Sequence, residues 1–401
     1  MLRNLSRHIL LAVVVVVASY VLGRVTQRWK PDFIALSEER SKYAQAGKGP
    51  VEIAVAWRIN DYNGSFLDGA ELAAEVIKQR GGILGRPVKL RFFGSRSSVA
   101  ARDIAQSTHI PVVIGHETSG EAIPASITYQ KAGLLFIAPT ATHPDLTAHD
   151  FNMVFRSVPD DRDMIHALAR EGGLQGVNRM AVLCVRSAYG NSLRMRMEQY
   201  AGDNGIMVVG ALSYSPLRAD FREISYNLRG KSVDAVFVGD STPRAAYLIK
   251  QLREQNIQIP VLGCDGLDDY AGIAKIVGNK ATNTYVVSVY HPPETGVVAR
   301  TEISRYEKTF LDAYLKKTKT SPDVYAAVAY DAIMLYAQVV EKANTTDPVV
   351  VASMLKYGGS WNSLRGLCSF DEYGNLVEKK LVIKEWSKDG FRAVKSKGEV
   401  K

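Results

Sequence analysis

VVIGHETSGEAIPASITYQKAGLLFIAPTATHPDL, residues 112–146, decides the fold. Val112, Val113 and Ile114 form a short apolar run that stops at Gly115, the pattern of a strand buried on both faces. Thr118 and Glu121 carry capping-box spacing, which predicts a helix starting near Ser119. Leu134–Ile137 is a second buried run, and Pro139, Thr140, Ala141 and Thr142 follow its carboxyl end. Hydroxyl side chains are therefore expected beyond the carboxyl ends of two adjacent strands, beside a helix start with unpaired N–H groups. In open α/β sheets ligands bind there, and a helix N-terminus favours an anionic group such as a carboxylate. The same hydroxyls could instead cap the helix and satisfy loop backbone without any ligand.

Strand and helix alternate on either side of this stretch, which argues for parallel sheets covered on both faces. Upstream, Val51–Trp57 reads as a strand, and Phe66–Arg80 as a helix with Leu67, Ala70, Ala74 and Ile77 on one face. Val88–Phe93 is the next strand, and Ala100–Ser107 part of another helix. Downstream, Asp163–Arg170 is helical and Met180–Val185 a buried strand. Leu193–Asn204, Asp220–Leu228, Val233–Val238, Arg244–Gln255 and Val261–Gly263 continue the alternation. Long helices are predicted from about Thr301 to Lys317 and over Tyr325–Lys342. With 401 residues, 46% hydrophobic and 23% charged, the chain is globular and long enough for two domains.

The formal charge of +9 is unevenly spread. Residues 1–50 hold eight Lys/Arg against three Asp/Glu, while the remainder holds 42 against 38. This excess surrounds the uncharged run ILLAVVVVVASYVLG, residues 9–23, between Arg7 and Arg24. It therefore reads as membrane topology, and no nucleic-acid partner is expected. The run suits either a signal-peptide core or a short retained anchor in the inner membrane, and both imply export. No cysteine follows it to accept a lipid. Residues 24–50 read as a linker, with a short helix after Pro31 and a break at Gly47-Lys48-Gly49-Pro50. Cys184, Cys264 and Cys368 allow at most one internal disulfide and lack metal-ligand spacing.

The run IGHETSGEAIPAS, followed by IAPTATHPDLT and VFRSV, resembles the signature of type 1 periplasmic solute-binding proteins of the leucine/isoleucine/valine-binding group. YAAVAYDAIMLYAQVVEK and LRGLCSFDEYGN, with Gly366, Phe370, Asp371 and Gly374, are similar to later motifs of that family. The resemblance extends from Val51 to about Trp386. It implies two Rossmann-like α/β lobes joined by a three-crossing hinge, near residues 157, 287 and 367. Lobe 1 would comprise 51–157 and 288–366, and lobe 2 residues 158–287 and 367–395.

The family grips an amino acid by its carboxylate and its ammonium. By that resemblance Ser119 is the carboxylate-binding serine, and Thr140, Ala141 and Thr142 form the loop that touches the charged end. Tyr189 closes over the ligand from lobe 2, and Asp265 pairs with the ammonium. A buried ammonium needs a carboxylate, and a buried carboxylate needs convergent donors. This sequence departs from the family at its first loop, Ala56-Trp57-Arg58-Ile59-Asn60, and at Asp240-Ser241-Thr242, where aromatic residues often stand. Arg58 and Ser241 are thus added candidates, suited to a larger or more polar ligand. Thr118 stands where some relatives have a disulfide cysteine.

Enzyme readings find no support in the motifs. Gly239-Asp240-Ser241 lacks a later D-x-x-H histidine, and Ser119 is outside any G-x-S-x-G. His143, Asp145, His149 and Asp150 lie within the family's threonine-proline loop, so neither a metal nor another cofactor is expected. The expected function is extracytoplasmic capture of an amino acid or related carboxylate-bearing molecule for ABC-type uptake. The partners would be the transporter's membrane subunits. The alternative is a membrane-tethered sensor on the same fold, reporting to a partner protein.

Overall fold

The computed structural model describes residues 31–58, 64–94, 97–293 and 304–394. The apolar run at 9–23, with the expectation placed on it, lies outside them. The first helix, α1 (Phe33–Ala46), leads into β1 (Val51–Ala56), α2 (Ser65–Gln79), β2 (Val88–Phe92) and α3 (Ser97–Gln106). β3 (Val112–Gly115), α4 (Ser119–Lys131), β4 (Leu135–Ala138) and β5 (Val154–Arg156) follow. Their strands form a parallel sheet in the order β2-β1-β3-β4-β5. β3 and β4 are buried at every residue, as continuous apolar strands covered on both faces must be.

The chain then crosses to a second lobe. α5 (Asp161–Leu174) starts at a complete capping box: Asp160 accepts from the amides of Arg162 and Asp163, and the Asp163 carboxylate accepts from the Asp160 amide. β6 (Arg179–Val185), α6 (Ala188–Asp203), β7 (Met207–Tyr214), α7 (Arg222–Arg229) and β8 (Ala235–Gly239) come next. α8 (Arg244–Glu254), β9 (Val261–Gly263), α9 (Tyr270–Ile276) and β10 (Thr284–Ser288) complete the run. The parallel part of this sheet, β7-β6-β8-β9-β10, repeats the strand order of the first.

α10 (Arg305–Thr318), α11 (Val324–Ala343), α12 (Pro348–Tyr357) and the hairpin β11 (Trp361–Ser363) and β12 (Gly366–Cys368) return to lobe 1. β13 (Val382–Ser387) and β14 (Gly390–Ala393) end on the lobe 2 sheet, antiparallel to β10 and to each other. The last crossing lies later than the expected 367. Phe370 packs edge-on against Phe155 at 5.5 Å and Asn375 bridges to Arg156, which keeps residues 369–376 with lobe 1.

Two further expectations are corrected. The buried residues of α2 are Phe66, Gly69, Ala70, Leu72, Ala73, Val76 and Ile77, so Leu67 and Ala74 lie at the edge of its buried face. Residues 33–46 are not a free spacer. Half of the residues of α1 are polar, and among them Arg40 is 1% exposed and donates to the carbonyls of Ile110 (2.9 Å), Ala132 (2.5 Å) and Ala105 (2.7 Å). The helix is therefore part of lobe 1. All three cysteines are free and buried.

α11 is the one helix among the described residues long and apolar enough to cross a membrane, and it forms the core of lobe 1. It packs against α2 so closely that a Cβ on Gly69 would stand 2.1 Å from the Ala326 carbonyl oxygen. Gly69→Ala is therefore expected to force the two helices apart, at about 1–3 kcal/mol. Denaturant unfolding should show a lower midpoint. An unchanged midpoint would mean that the helix pair yields at no cost.

Candidate functional site

The carboxyl ends of both parallel sheets open on one cavity of about 250 Å³. Lobe 1 contributes Glu117–Gly120 after β3 and Pro139 and Thr140 after β4; lobe 2 contributes Ser187 and Tyr189 after β6, Asp240–Thr242 after β8, and Asp265 and Gly266 after β9. Val158, Met164, Val289, Val324 and Val328 supply apolar wall. A cleft outside the carboxyl ends of strands is the binding position of open α/β sheets, here formed twice, face to face.

Ser119 lies at the first turn of α4, 2% exposed, and its hydroxyl accepts from the His143 amide at 3.2 Å. The amides of Ser119 and Gly120 precede the helical ladder, so this end of the cavity suits an anion. The expected capping box is not made: Thr118 gives α4 no side-chain cap. Glu121 instead turns outward to Arg58, at 3.0 Å. Burial raises the Glu121 carboxyl and Arg58 partly offsets this. The Thr140 hydroxyl donates to the carbonyls of His116 (3.1 Å) and Glu117 (3.0 Å), fixing the turn after β3. Behind it His116, its Nε2 2.8 Å from the Tyr129 hydroxyl, is held neutral, its pKa pushed by burial down to about 4.

On the lobe 2 side the Tyr189 hydroxyl donates to Asp265 Oδ1 at 2.7 Å and accepts from the Gly266 amide at 3.1 Å. Burial pushes the Asp265 carboxyl up, and these donors partly offset that. A side chain at position 266 would meet the Tyr189 hydroxyl at 2.9 Å, so only glycine lets tyrosine and aspartate approach. Ser241 lines the cavity beside Asp240, its amide 2.8 Å from Asp240 Oδ1.

Five of the eight expected residues, Ser119, Thr140, Tyr189, Ser241 and Asp265, thus meet at one cavity. Three do not line it. Ala141 is fully buried in the outer core of lobe 1. Thr142 is also fully buried, its carbonyl accepting from the Asp161 amide at 2.9 Å. The His143 amide bonds Ser119, which turns this loop inward and carries Ala141 and Thr142 away from the opening. Thr142 instead packs at Asp161, whose carboxyl burial drives up to about 7. Arg58 is half exposed and engaged by Glu121.

Several lining residues escaped the sequence reading: Asp240 as a buried charge, Arg244, Asp269, Glu117 and Tyr325. Asp240 is fully buried; Arg244 grips both its oxygens, at 2.6 and 2.7 Å, and Tyr214 donates at 2.9 Å. Asp240 and Arg244 stand four apart across the start of α8, a spacing that could have shown the pair.

Two lobes that meet over a cavity between like ends of their sheets, apolar walls carrying a few convergent polar groups, define a solute-binding protein. The chain belongs to the periplasmic binding protein family, which it matches over residues 59–391. It is similar to the leucine-, isoleucine-, valine-, threonine- and alanine-binding protein of Pseudomonas aeruginosa, 24% identical over 86% of this chain and 90% of that one. It is 28% identical to Leu/Ile/Val-binding protein homolog 3 of Brucella melitensis, over 86% of this chain and 93% of that one. A solved ABC transporter substrate-binding protein from Desulfitobacterium hafniense, in complex with Leu, superposes with a TM-score of 0.75. That structure is 27% identical and covers 86% of this chain and all of its own length.

Proposed function

We propose that this protein captures an amino acid, or a related carboxylate-bearing molecule, outside the cytoplasm and delivers it to the membrane subunits of an ABC transporter. The observation that carries this reading is the division of the cavity. Lobe 1 offers the helix start at Ser119, suited to a carboxylate, and lobe 2 offers the Tyr189–Asp265 pair, suited to an ammonium. A zwitterion spanning the two would hold the lobes together, so ligand and closed state stabilise each other. The relatives named above bind leucine and similar amino acids, which supports the same ligand class. The apolar segment at 9–23 is the part of the chain that would direct export, whether cleaved or retained.

A thermal-shift screen against amino acids and small carboxylates tests the reading. A ligand at 100 times its Kd should stabilise by about 2.7 kcal/mol. Small-angle scattering should then show a smaller radius of gyration with that ligand. No stabilisation by any amino acid would refute the ligand class, and stabilisation without contraction would refute closure.

A further inference from the structure

Asp269 is the feature of the cavity that a simple zwitterion leaves unused. It lines the cavity and is 5% exposed. Its Oδ1 accepts from the Gly272 amide at 2.8 Å, capping α9. Its Oδ2 has no hydrogen-bond partner among the described residues, and neither has the Thr242 hydroxyl of the same wall. A buried carboxylate oxygen without a donor is costly unless something arrives to pair with it.

The surroundings point to a cation. Among the described residues the lining holds the carboxylates Asp240, Asp265 and Asp269, beside Glu117, which is already engaged, and the guanidinium of Arg244. Arg244 is spent on Asp240, which it holds through two bonds. Lys384 is likewise spent on Asp268, next in sequence, at 2.8 Å. Asp265 is committed by the reading above to the α-ammonium. Burial raises the Asp269 carboxyl to about 6, with the Gly272 amide pulling it back, so it still carries charge at neutral pH.

We propose that Asp269, with Thr242 beside it, forms a second subsite for a positive group on the ligand, and that the cargo is an amino acid with a cationic side chain. The inference rests on the amino-acid reading and deepens it: Asp265 holds the α-ammonium and Asp269 the ammonium or guanidinium of the side chain. Two separated carboxylates then discriminate basic from aliphatic amino acids, because an aliphatic side chain would leave Asp269 buried and unpaired.

Calorimetry with lysine, ornithine, arginine and leucine on the purified protein tests this. At least one basic amino acid should bind about tenfold or more tightly than leucine, and Asp269→Asn should weaken it by about 30-fold or more. Leucine binding should not weaken in that variant and should gain, because the unpaired charge that opposes an aliphatic side chain is gone while Asn keeps the cap to Gly272. Leucine binding as tightly as every basic probe, or Asp269→Asn weakening all ligands equally, would overturn the proposal. Asp265→Asn separates the two readings. If it abolishes leucine binding while Asp269→Asn changes nothing, the amino-acid reading stands and this one falls. If no amino acid binds the unaltered protein, both fall.

Discussion

Asp265→Asn is expected to weaken amino-acid binding by about 30-fold or more. The position is half-buried, its Oδ1 already accepts from Tyr189, and it faces the cavity from the second lobe. Removing its charge leaves a desolvated ammonium without a counter-ion, which typically costs about 2–5 kcal/mol. Asparagine can still accept from the Tyr189 hydroxyl, so the turn through Gly266 should survive and the loss should appear in affinity. Ser119→Ala should cost less, about 1 kcal/mol, because the first amides of α4 still face the carboxylate. That variant also strips the His143 amide of its acceptor, so part of its effect should appear as lowered stability. If Asp265 only shapes its turn, Asp265→Asn should leave affinity near that of the unaltered protein. Calorimetry on both variants distinguishes these cases, and an unchanged affinity for Asp265→Asn would refute an amino-acid ligand.

Much of the fold was legible because buried strands write themselves as apolar runs. Val112–Ile114, Leu135–Ile137 and Met180–Val185 are buried throughout and were found within a residue or two. β7 was missed for the converse reason: it is an edge strand, mostly exposed or half-buried, with Gly210 and Ser213 inside it. Missing β7 also hid Tyr214, and with it one partner of the buried Asp240. The site was legible where the residue beyond a strand end also lies at a helix or 3-10 start, as Ser119, Tyr189 and Asp265 do. Ala141 and Thr142 misled because register along a loop carries no period. Bonds between distant residues hold the loop as it turns: the His143 amide to Ser119, the Asp161 amide to the Thr142 carbonyl and Arg156 to the His143 carbonyl. Glu121 misled in the same way, since capping-box spacing cannot show that Arg58 offers a stronger partner than a backbone amide.

The helix α1 was read as a spacer because half of its residues are polar and its buried residues are few, and the reason it docks is a charge. Arg40→Ala is therefore expected to release α1 and destabilise lobe 1 by about 3 kcal/mol or more. The guanidinium reaches Ala105 near the end of α3, Ala132 at the end of α4, and Ile110 between α3 and β3. Carbonyls at helix ends have no intrahelical donor, and a cation there also meets the negative end of the helix dipole. Burial lowers the Arg40 pKa to about 10, so it stays charged at neutral pH. Arg40→Lys should recover only part of the loss, since an ammonium cannot present a planar fork to three separate carbonyls. Hydrogen exchange should show lost protection over residues 33–46 and at the ends of α3 and α4. Ligand affinity should change by less than about twofold, because Arg40 holds α4 at its C-terminal end and Ser119 lies at the other. Protection unchanged in Arg40→Ala would show that α1 holds to lobe 1 by other contacts. A large drop in affinity would instead show that tying down the far end of α4 is part of how the binding end is positioned.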